Sequence, residues 1–205
     1  MPADEPSPRR GVLLVLAGTS GAGKGTIGAR LRALDARLRW SVSWTTRARR
    51  PGERPDVDYH YVTRAEFEAL RDDDGFLEWF EVYGDLKGTP RHFVLDELAA
   101  GHDVMLEVDV QGALAVKAAL PDALLVFVRA PDRDEQRRRL ERRAEVTGES
   151  PESIAGRLAR ADDEEQIGAT QFDAVVVNDD VDRATAEVAA ILENRRNSPS
   201  RAEGA

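Results

Sequence analysis

Gly18-Thr-Ser-Gly-Ala-Gly-Lys-Gly-Thr26 follows directly on the apolar run Val12-Leu-Leu-Val-Leu-Ala17, and this succession decides the fold. An unbroken apolar run ending in glycine reads as a strand buried on both faces, the glycines as a tight turn, and Lys24 as the opening of a helix. In such a turn small residues let successive backbone N–H groups converge on a polyphosphate. The helix N-terminus adds partial positive charge, and Lys24 reaches the outer phosphates. A polyphosphate is therefore the expected ligand, with Gly18, Ser20, Gly21, Ala22, Gly23, Lys24, Gly25 and Thr26 around it. The usual pattern puts Ser or Thr directly after the lysine. Here Gly25 intervenes, so a hydroxyl for a magnesium ion must come from Thr26 or be replaced by water. Lysine is scarce in this chain, with three against 26 arginines, so a lysine at this position is not background composition.

Outward from that stretch, short apolar runs at residues 12–17, 104–110, 124–129 and 174–177 alternate with helical patterns, the arrangement of a parallel α/β sheet flanked by helices. Helix starts are marked by Thr63 with Glu66 as a capping box, by Thr89 before Pro90, and by Ser150 before Pro151. Residues 43–93 interrupt the alternation with Arg-, Pro-, Gly- and Asp-rich stretches around two strand patterns, 59–62 and 76–82. They read as an insertion over the carboxyl edge of the sheet, where ligands bind in doubly wound folds. Residues 1–10 and 195–205 are polar and lack apolar periodicity, and read as disordered tails.

Composition excludes several classes of function. A 205-residue chain with 41% hydrophobic content suits one α/β domain with insertions. Zero cysteines exclude disulfides and thiolate metal sites, which makes a reducing cytoplasm the simplest home. The six-residue apolar run near the N-terminus is shorter than a membrane span of about 20 residues or a signal-peptide core of about 7 to 15. A formal net charge of −9 argues against a general binder of nucleic acid or membrane surfaces. Anionic ligands must be met by local cations. The three histidines, His60, His92 and His102, lie at no metal-ligand or nucleophile–base spacing. Trp40, Trp44 and Trp79 read as packing residues.

Within the insertion, Ser41-Val-Ser-Trp-Thr-Thr-Arg-Ala-Arg-Arg50 sets hydroxyls beside arginines. Arg47 and Arg50 can fork onto one phosphate group while hydroxyls fill its remaining lone pairs, so a second phosphate site is expected. Glu78 follows on a strand pattern.

With these motifs assembled, the chain resembles the guanylate kinases over about residues 11–194. The resemblance rests on GTSGAGKGT, SVSWTTRARRPGE with DYHYV after it, FLEWFEVYG, GTPR, LEVDVQG and VVVNDD, in the family's order. It implies a P-loop NTPase-type core (11–42, 94–143 and 157–194), a GMP-binding insertion (43–93) and a mobile helical lid (144–156). It implies ATP as co-substrate, Mg2+, and GMP or dGMP as acceptor. Ser43, Arg47, Arg50, Tyr59, Glu78, Thr89 and Asp109 match family positions around GMP, with Arg47, Arg50 and Tyr59 holding the phosphate. Glu78 and Thr89 would read the base, since guanine offers a ring N–H and an exocyclic amine that one carboxylate can accept together. Asp109, at the end of the run 104–110, would lie near magnesium and substrate, and Asn178 near the adenine. Arg139, Arg143 and Arg157 match lid-flanking arginines that close on the ATP phosphates.

Two departures from the family stand out. The turn after the second lid arginine reads Ala144-Glu-Val-Thr-Gly148 and the interval to Arg157 is longer than usual, leaving open whether Arg142 or Arg143 faces the phosphates. Before the Gly88-Thr89 pair, where the family carries two aromatic residues, this chain has Leu86-Lys87. The second of those is normally a phosphate-contacting tyrosine, so Lys87 is expected either to replace it or to face solvent. A P-loop kinase of another phosphorylated metabolite should lack the set Ser43, Glu78 and Thr89. A non-catalytic binding module should have a degraded phosphate loop. Oligomeric state is not legible in the sequence.

Overall fold

The computed structural model describes residues 10–50, 52–82 and 84–198. The first apolar run forms β1 (Leu13–Gly18), buried throughout, and the glycine-rich turn leads into α1 (Lys24–Leu34) and a short strand, β2 (Leu38–Trp40). The inserted segment holds β3 (Trp44–Thr45), β4 (His60–Tyr61), α2 (Arg64–Asp72), β5 (Phe76–Val82) and β6 (Asp85–Pro90). The chain returns through α3 (Arg91–Ala99), β7 (Asp103–Glu107), α4 (Val110–Ala119) and β8 (Leu124–Arg129). It ends with α5 (Arg133–Thr147), α6 (Pro151–Gln171), β9 (Ala174–Val177) and α7 (Val181–Arg196).

The main sheet is parallel, in the order β2-β7-β1-β8-β9. β1 therefore sits in the middle with β7 and β8 on either side, and the loop after it opens at the carboxyl edge where the strand order reverses. Side chains alternate across this sheet with period two. Leu14 and Leu16 pack with Ile27, Leu31, Val188 and Leu192 of α1 and α7. Leu13 and Val15 pack with Val94, Leu98, Ala113 and Val116 of α3 and α4. Because both faces are covered, the strand runs are continuously apolar, which is why they were readable from sequence.

The inserted sheet has the order β4-β3-β6-β5, with β6 antiparallel to both its neighbours and β3 parallel to β4. Its own small core is Phe67, Phe76 and Leu86, the two rings stacked at 4.3 Å. Leu77, on the other face of β5, joins the α3–α4 side of the main core, which fixes the insertion against the carboxyl edge.

Several boundaries differ from the sequence expectation. β7 ends at Glu107 rather than at residue 110, because Asp109 caps α4 by accepting from the Gly112 N–H at 2.8 Å. The helix start expected at Thr89-Pro90 is displaced, with Pro90 rather than Thr89 as the N-cap of α3. Both residues are drawn into the ladder opposite Glu78 and Phe76 of β5, and α3 begins one residue later. The pattern at 59–62 contracts to His60–Tyr61, and β3 and β6 complete the sheet around it. The expected tail at 195–205 starts too early: Arg195 and Arg196 belong to α7, and the Arg196 side chain, only 5% exposed, reaches Asp35 and Asp103 at 2.6 Å each. Residues 1–9 and 199–205, also expected as tails, lie outside the described residues. The capping box at Thr63 and Glu66 and the Ser150–Pro151 helix start form as the sequence predicts. Among the described residues no helix is long and apolar enough to cross a membrane.

One glycine decides how closely α6 seats on the sheet. A Cβ added at Gly168 would lie 2.4 Å from Cγ of the fully buried Phe127, well inside contact distance. Gly168→Ala is therefore expected to destabilise the protein by about 1–3 kcal/mol, since overpacking a filled core forces side chains or backbone aside. Thermal melting would show this as a drop of several degrees, and an unchanged Tm would mean that α6 is not held this close to β8.

Candidate active site

The phosphate loop owes its shape to three glycines. Gly18, Gly21 and Gly23 have φ of 146, 84 and 91°, a region costly for residues with a Cβ. Two of them are also places of close approach: a Cβ on Gly18 would strike the Val128 carbonyl at 1.9 Å, and one on Gly23 the Asn178 Nδ2 at 2.3 Å. Gly23 is the N-cap of α1 and gives no side-chain hydrogen bond, so the first N–H groups of the helix point outward for an anion. Lys24 Nζ donates back to the carbonyls of Gly18 at 2.8 Å and Thr19 at 3.2 Å. Burial lowers its pKa from the ordinary lysine value, opposed by the charges of Glu107, Glu164 and Asp109.

The loop is braced from behind. Asn178, buried beside the end of β9, donates through Nδ2 to the Ala22 carbonyl at 2.7 Å, and Gln136 of α5 donates to the Ser20 carbonyl at 2.8 Å. Arg139 bonds Glu135 through Nε and reaches the carbonyls of Ala22 (3.3 Å) and Asn178 (2.9 Å) through its Nη atoms. The sequence expectation set Arg139 on the ATP phosphates; without nucleotide its Nη donors rest on the loop backbone. Arg143 and Arg157 do face the cleft, and Arg157 Nη1 donates to Ser20 Oγ at 3.0 Å. Of Arg142 and Arg143, the latter lines the cleft, while Arg142 turns back toward Glu135 with its side chain 67% exposed.

The cleft in front of the loop encloses about 720 Å³, and its lining includes Gly18, Ser20 and Lys24 of the loop and Lys87 of β6. Glu107 and Asp109 line it too. Glu164 of α6 lines it as well; burial raises its acid pKa, against the pull of Lys24.

At the inserted sheet, Glu78 and Thr89 stand opposite one another in the β5–β6 ladder, and Thr89 Oγ1 donates to Glu78 Oε1 at 2.5 Å. Glu78 is 7% exposed and Thr89 1%. Burial, the largest influence on Glu78, raises its acid pKa above the ordinary 4.5. Glu78 Oε2 and Asp109 Oδ1 both approach Gly112, 3.5 and 3.3 Å from where its Cβ would be, so Glu78 neighbours a carboxylate that lines the cleft.

The cations of the insertion gather at Tyr59. The Arg47 guanidinium lies 5.4 Å and the Lys87 ammonium 5.2 Å from the centre of its ring. Glu53, unremarked in the sequence although it ends the RARRPGE stretch, organises this corner. It accepts from Arg47 Nη2 and the Arg50 N–H at 2.8 Å each and from the Tyr61 hydroxyl at 2.7 Å. Burial alone would raise its pKa, but these donors bring it down to about 2. Arg50 is exposed and joins through its backbone N–H, while Ser43 is half-buried and accepts from the His60 N–H through its carbonyl. Leu86, the first of the two departures before Gly88, is buried with Phe67 and Phe76; Lys87 projects to the opposite face of β6.

His92 lines an apolar hollow with Trp40, Trp44 and Phe93. His60 pairs with Asp56 and packs on Trp44, and His102 pairs with Glu97. Among the described residues no group of three or more His, Cys, Asp or Glu is arranged to hold a metal ion. Trp40 and Trp44 pack, whereas Trp79 is 41% exposed with Arg71 over its ring. Glu149, Glu164 and Gln136 were missed in the sequence, since each acts across more than a hundred residues or between two helices.

The geometry agrees with what known proteins show. A family model described as guanylate kinase matches residues 10–195. The guanylate kinase of one strain of Thermus thermophilus is 48% identical over 193 residues, 94% of this chain and 85% of that protein. That of Rubrobacter xylanophilus is 49% identical over 187 residues, 90% and 94% of the two chains. The crystal structure of guanylate kinase from Anaplasma phagocytophilum superposes with a TM-score of 0.73 at 29% identity, covering 93% of this chain and 88% of that one. With a family model over residues 10–195 and relatives of this likeness over nearly its whole length, the chain belongs to the guanylate kinase family.

Proposed function

We propose that the chain moves a phosphoryl group from ATP, seated at the phosphate loop, to GMP held by the inserted sheet, giving ADP and GDP. Magnesium-dependent transfer from ATP to GMP is the general activity of this family, and the chain is an ATP:GMP phosphotransferase. The observation that carries the assignment of the acceptor is the buried Glu78–Thr89 pair beside the cleft. A carboxylate kept out of water needs donors, and the ring N–H and exocyclic amine of guanine supply two on one edge. The Thr89 hydroxyl, which donates to Glu78 without ligand, can turn to serve the guanine carbonyl oxygen.

Gly18, Ser20, Gly21, Ala22, Gly23, Lys24, Gly25 and Thr26 would hold the ATP phosphates, with Asn178 behind them toward the adenine. Arg143 and Arg157 would meet the transferring group from the side of α5 and α6, flanking the segment 144–156 read as a lid, and Arg139 would act through the loop it braces. Arg47, Arg50, Tyr59 and Lys87 would hold the GMP phosphate, with Ser43 close by. A magnesium ion fits the oxygen donors available: Thr26 is exposed in the first turn of α1, the Glu107 carboxylate faces Gly25 about 3.5 Å from its missing Cβ, and Asp109 lines the same cleft. Such an ion prefers oxygen and keeps phosphate and water ligands, and when bound it neutralises charge on the transferring phosphoryl group. No general base is required, because a phosphate monoester with a second pKa of about 6 is already largely ionised near neutral pH. The protein aligns donor and acceptor and spreads the developing charge over Lys24 and the arginines. An ADP-release assay across GMP, AMP, CMP and UMP tests this assignment. Turnover with GMP far above the others is expected, and equal turnover with another monophosphate would overturn it.

Lys87 carries a separate expectation. Its ammonium shares the Tyr59 ring with Arg47, two like charges gathered where a dianionic phosphate would relieve their repulsion. A charge-assisted hydrogen bond contributes about 1.5–3 kcal/mol, so Lys87→Ala is expected to raise KM for GMP about tenfold at low salt. The effect should shrink at high salt, where screening weakens the parent's own contact, and base selectivity should not change. Lys87→Tyr should restore binding with less salt dependence. KM values identical to the parent at both salt concentrations would make Lys87 a spectator.

A further inference from the structure

Glu149 lies in the short turn between α5 and α6, and its carboxylate gathers two of the arginines that line the cleft, Arg143 and Arg157; Arg160 is another. Arg143, near the end of α5, donates through Nη2 to Oε2 at 2.9 Å, and Arg157, in α6, donates through Nε to Oε1 at 2.5 Å. Ser153 Oγ adds a third donor at 2.6 Å. The Glu149 side chain is 14% exposed, against 43% and 33% for the two arginines, so the anion sits inside the group and the cations face the cleft. Burial alone would raise its pKa; the bonds from Ser153, Arg143 and Arg157 bring it down to about 2, and it stays charged at any working pH.

The donor accounting shows what this leaves available. A guanidinium has five N–H donors. Glu149 takes the Nε edge of Arg157 and one Nη of Arg143, while Arg157 Nη1 reaches Ser20 Oγ in the phosphate loop at 3.0 Å. Without the carboxylate, two guanidinium groups brought this close would repel each other, and long flexible side chains at the surface would disperse at a gain in rotamer entropy.

We propose that Glu149 is a positioning residue for the donor nucleotide: its carboxylate holds Arg143 and Arg157 side by side against the phosphate loop, so that ATP meets both cations already in place. This rests on the reading of those two arginines as ATP-phosphate ligands. Its consequence is a split between the two substrates. Loss of Glu149 weakens the handling of ATP and leaves the GMP site, whose described residues share no hydrogen bond with Glu149, as it was.

The test is steady-state kinetics of Glu149→Ala, Glu149→Gln, Arg157→Ala and the double variant Glu149→Ala/Arg157→Ala, with thermal melting to check that each is folded. Coupling between groups in one ion-pair network is commonly 0.5–3 kcal/mol, so Glu149→Ala is expected to raise KM for ATP about tenfold and to lower kcat, with KM for GMP within about twofold of the parent. Glu149→Gln keeps the side-chain shape and loses the charge, and should show the same split to a smaller extent; it serves alone if the alanine variant does not fold. In the Arg157→Ala background the added loss of Glu149 should cost less than in the parent. An impaired Arg157→Ala beside an unaffected Glu149→Ala would overturn the proposal while leaving the arginine reading intact. A lower KM for ATP in Glu149→Ala would make the carboxylate a competitor of the phosphates, and equal losses for ATP and GMP would make it merely structural; either overturns the proposal. An unaffected Arg157→Ala would remove the reading on which the proposal stands.

Discussion

Lys24→Ala is expected to yield a folded protein whose turnover falls by at least about a hundredfold. The ammonium is the cation set deepest in the phosphate loop, and without nucleotide it rests on the carbonyls of Gly18 and Thr19. Those contacts are weak claims on a group with three donors, so phosphate oxygens arriving at the loop can take them over. Removing one preorganised charge-stabilising group commonly costs on the order of 3 kcal/mol in the transition state. The fold should survive, because the loop is held by other bonds: Asn178 and Arg139 on Ala22, and Gln136 on Ser20. Burial works against the charged lysine, as its lowered pKa records, so the alanine variant should be no less stable than the parent. Circular dichroism and melting check the fold, and single-turnover kinetics at saturating ATP check the chemical step. Near-parent turnover in a folded variant would show that the arginines and the helix N-terminus suffice without the lysine.

How far the sequence reached depended on the range of the interaction that carried each feature. β1 and β8 were legible because a strand covered on both faces must be apolar throughout, a local signature; the edge strand β9 is apolar as well, although Val175 is 40% exposed. The phosphate loop was legible for the same reason: its glycines and Lys24 are contiguous. β6 was not, since Asp85-Leu-Lys-Gly-Thr-Pro90 is poor in strand formers and is held by its pairing with β5 and β3 and by the burial of Leu86. The two-residue strands β3 and β4 are too short to carry a period. Among site residues, Glu78 and Thr89 drew attention only through the family resemblance, since neither is unusual alone and their meeting depends on the β5–β6 register. The resemblance put Arg139 on ATP, and its contacts without nucleotide, to the backbone carbonyls of Ala22 and Asn178, both distant in sequence, were not legible. Glu53 and Glu149 share one trait: each gathers cations whose assembly needs the folded chain, and no spacing rule reveals a carboxylate acting that way.

Selectivity for the base is expected to be the largest effect, with kcat/KM for GMP about 10⁴ above that for AMP. A site built to hydrogen-bond a substrate's N–H groups rejects an analogue lacking them by about 10⁴–10⁵, because its own buried polar groups are then left unpaired. Glu78 meets that condition: it is 7% exposed, and adenine presents no matching pair of donors. Glu78→Gln should raise KM for GMP and narrow the GMP/AMP ratio, since an amide turns a donor toward guanine's own donors. The same substitution should move stability the other way. Burial raises the acid pKa of Glu78 above the ordinary 4.5, so the folded state binds this proton more tightly than the unfolded chain does. Its contribution to stability is then fully present below pH 4.5 and is lost as pH rises through the raised folded-state value. Glutamine keeps an oxygen to accept from Thr89 and has no charge to desolvate. Without nucleotide, Glu78→Gln should therefore melt above the parent at neutral pH, with the difference vanishing below about pH 4.5. A GMP/AMP ratio below about ten in the parent would remove Glu78 as the guanine reader. A glutamine variant that melts below the parent at neutral pH would show instead that the carboxylate is stabilised by its surroundings before any nucleotide arrives.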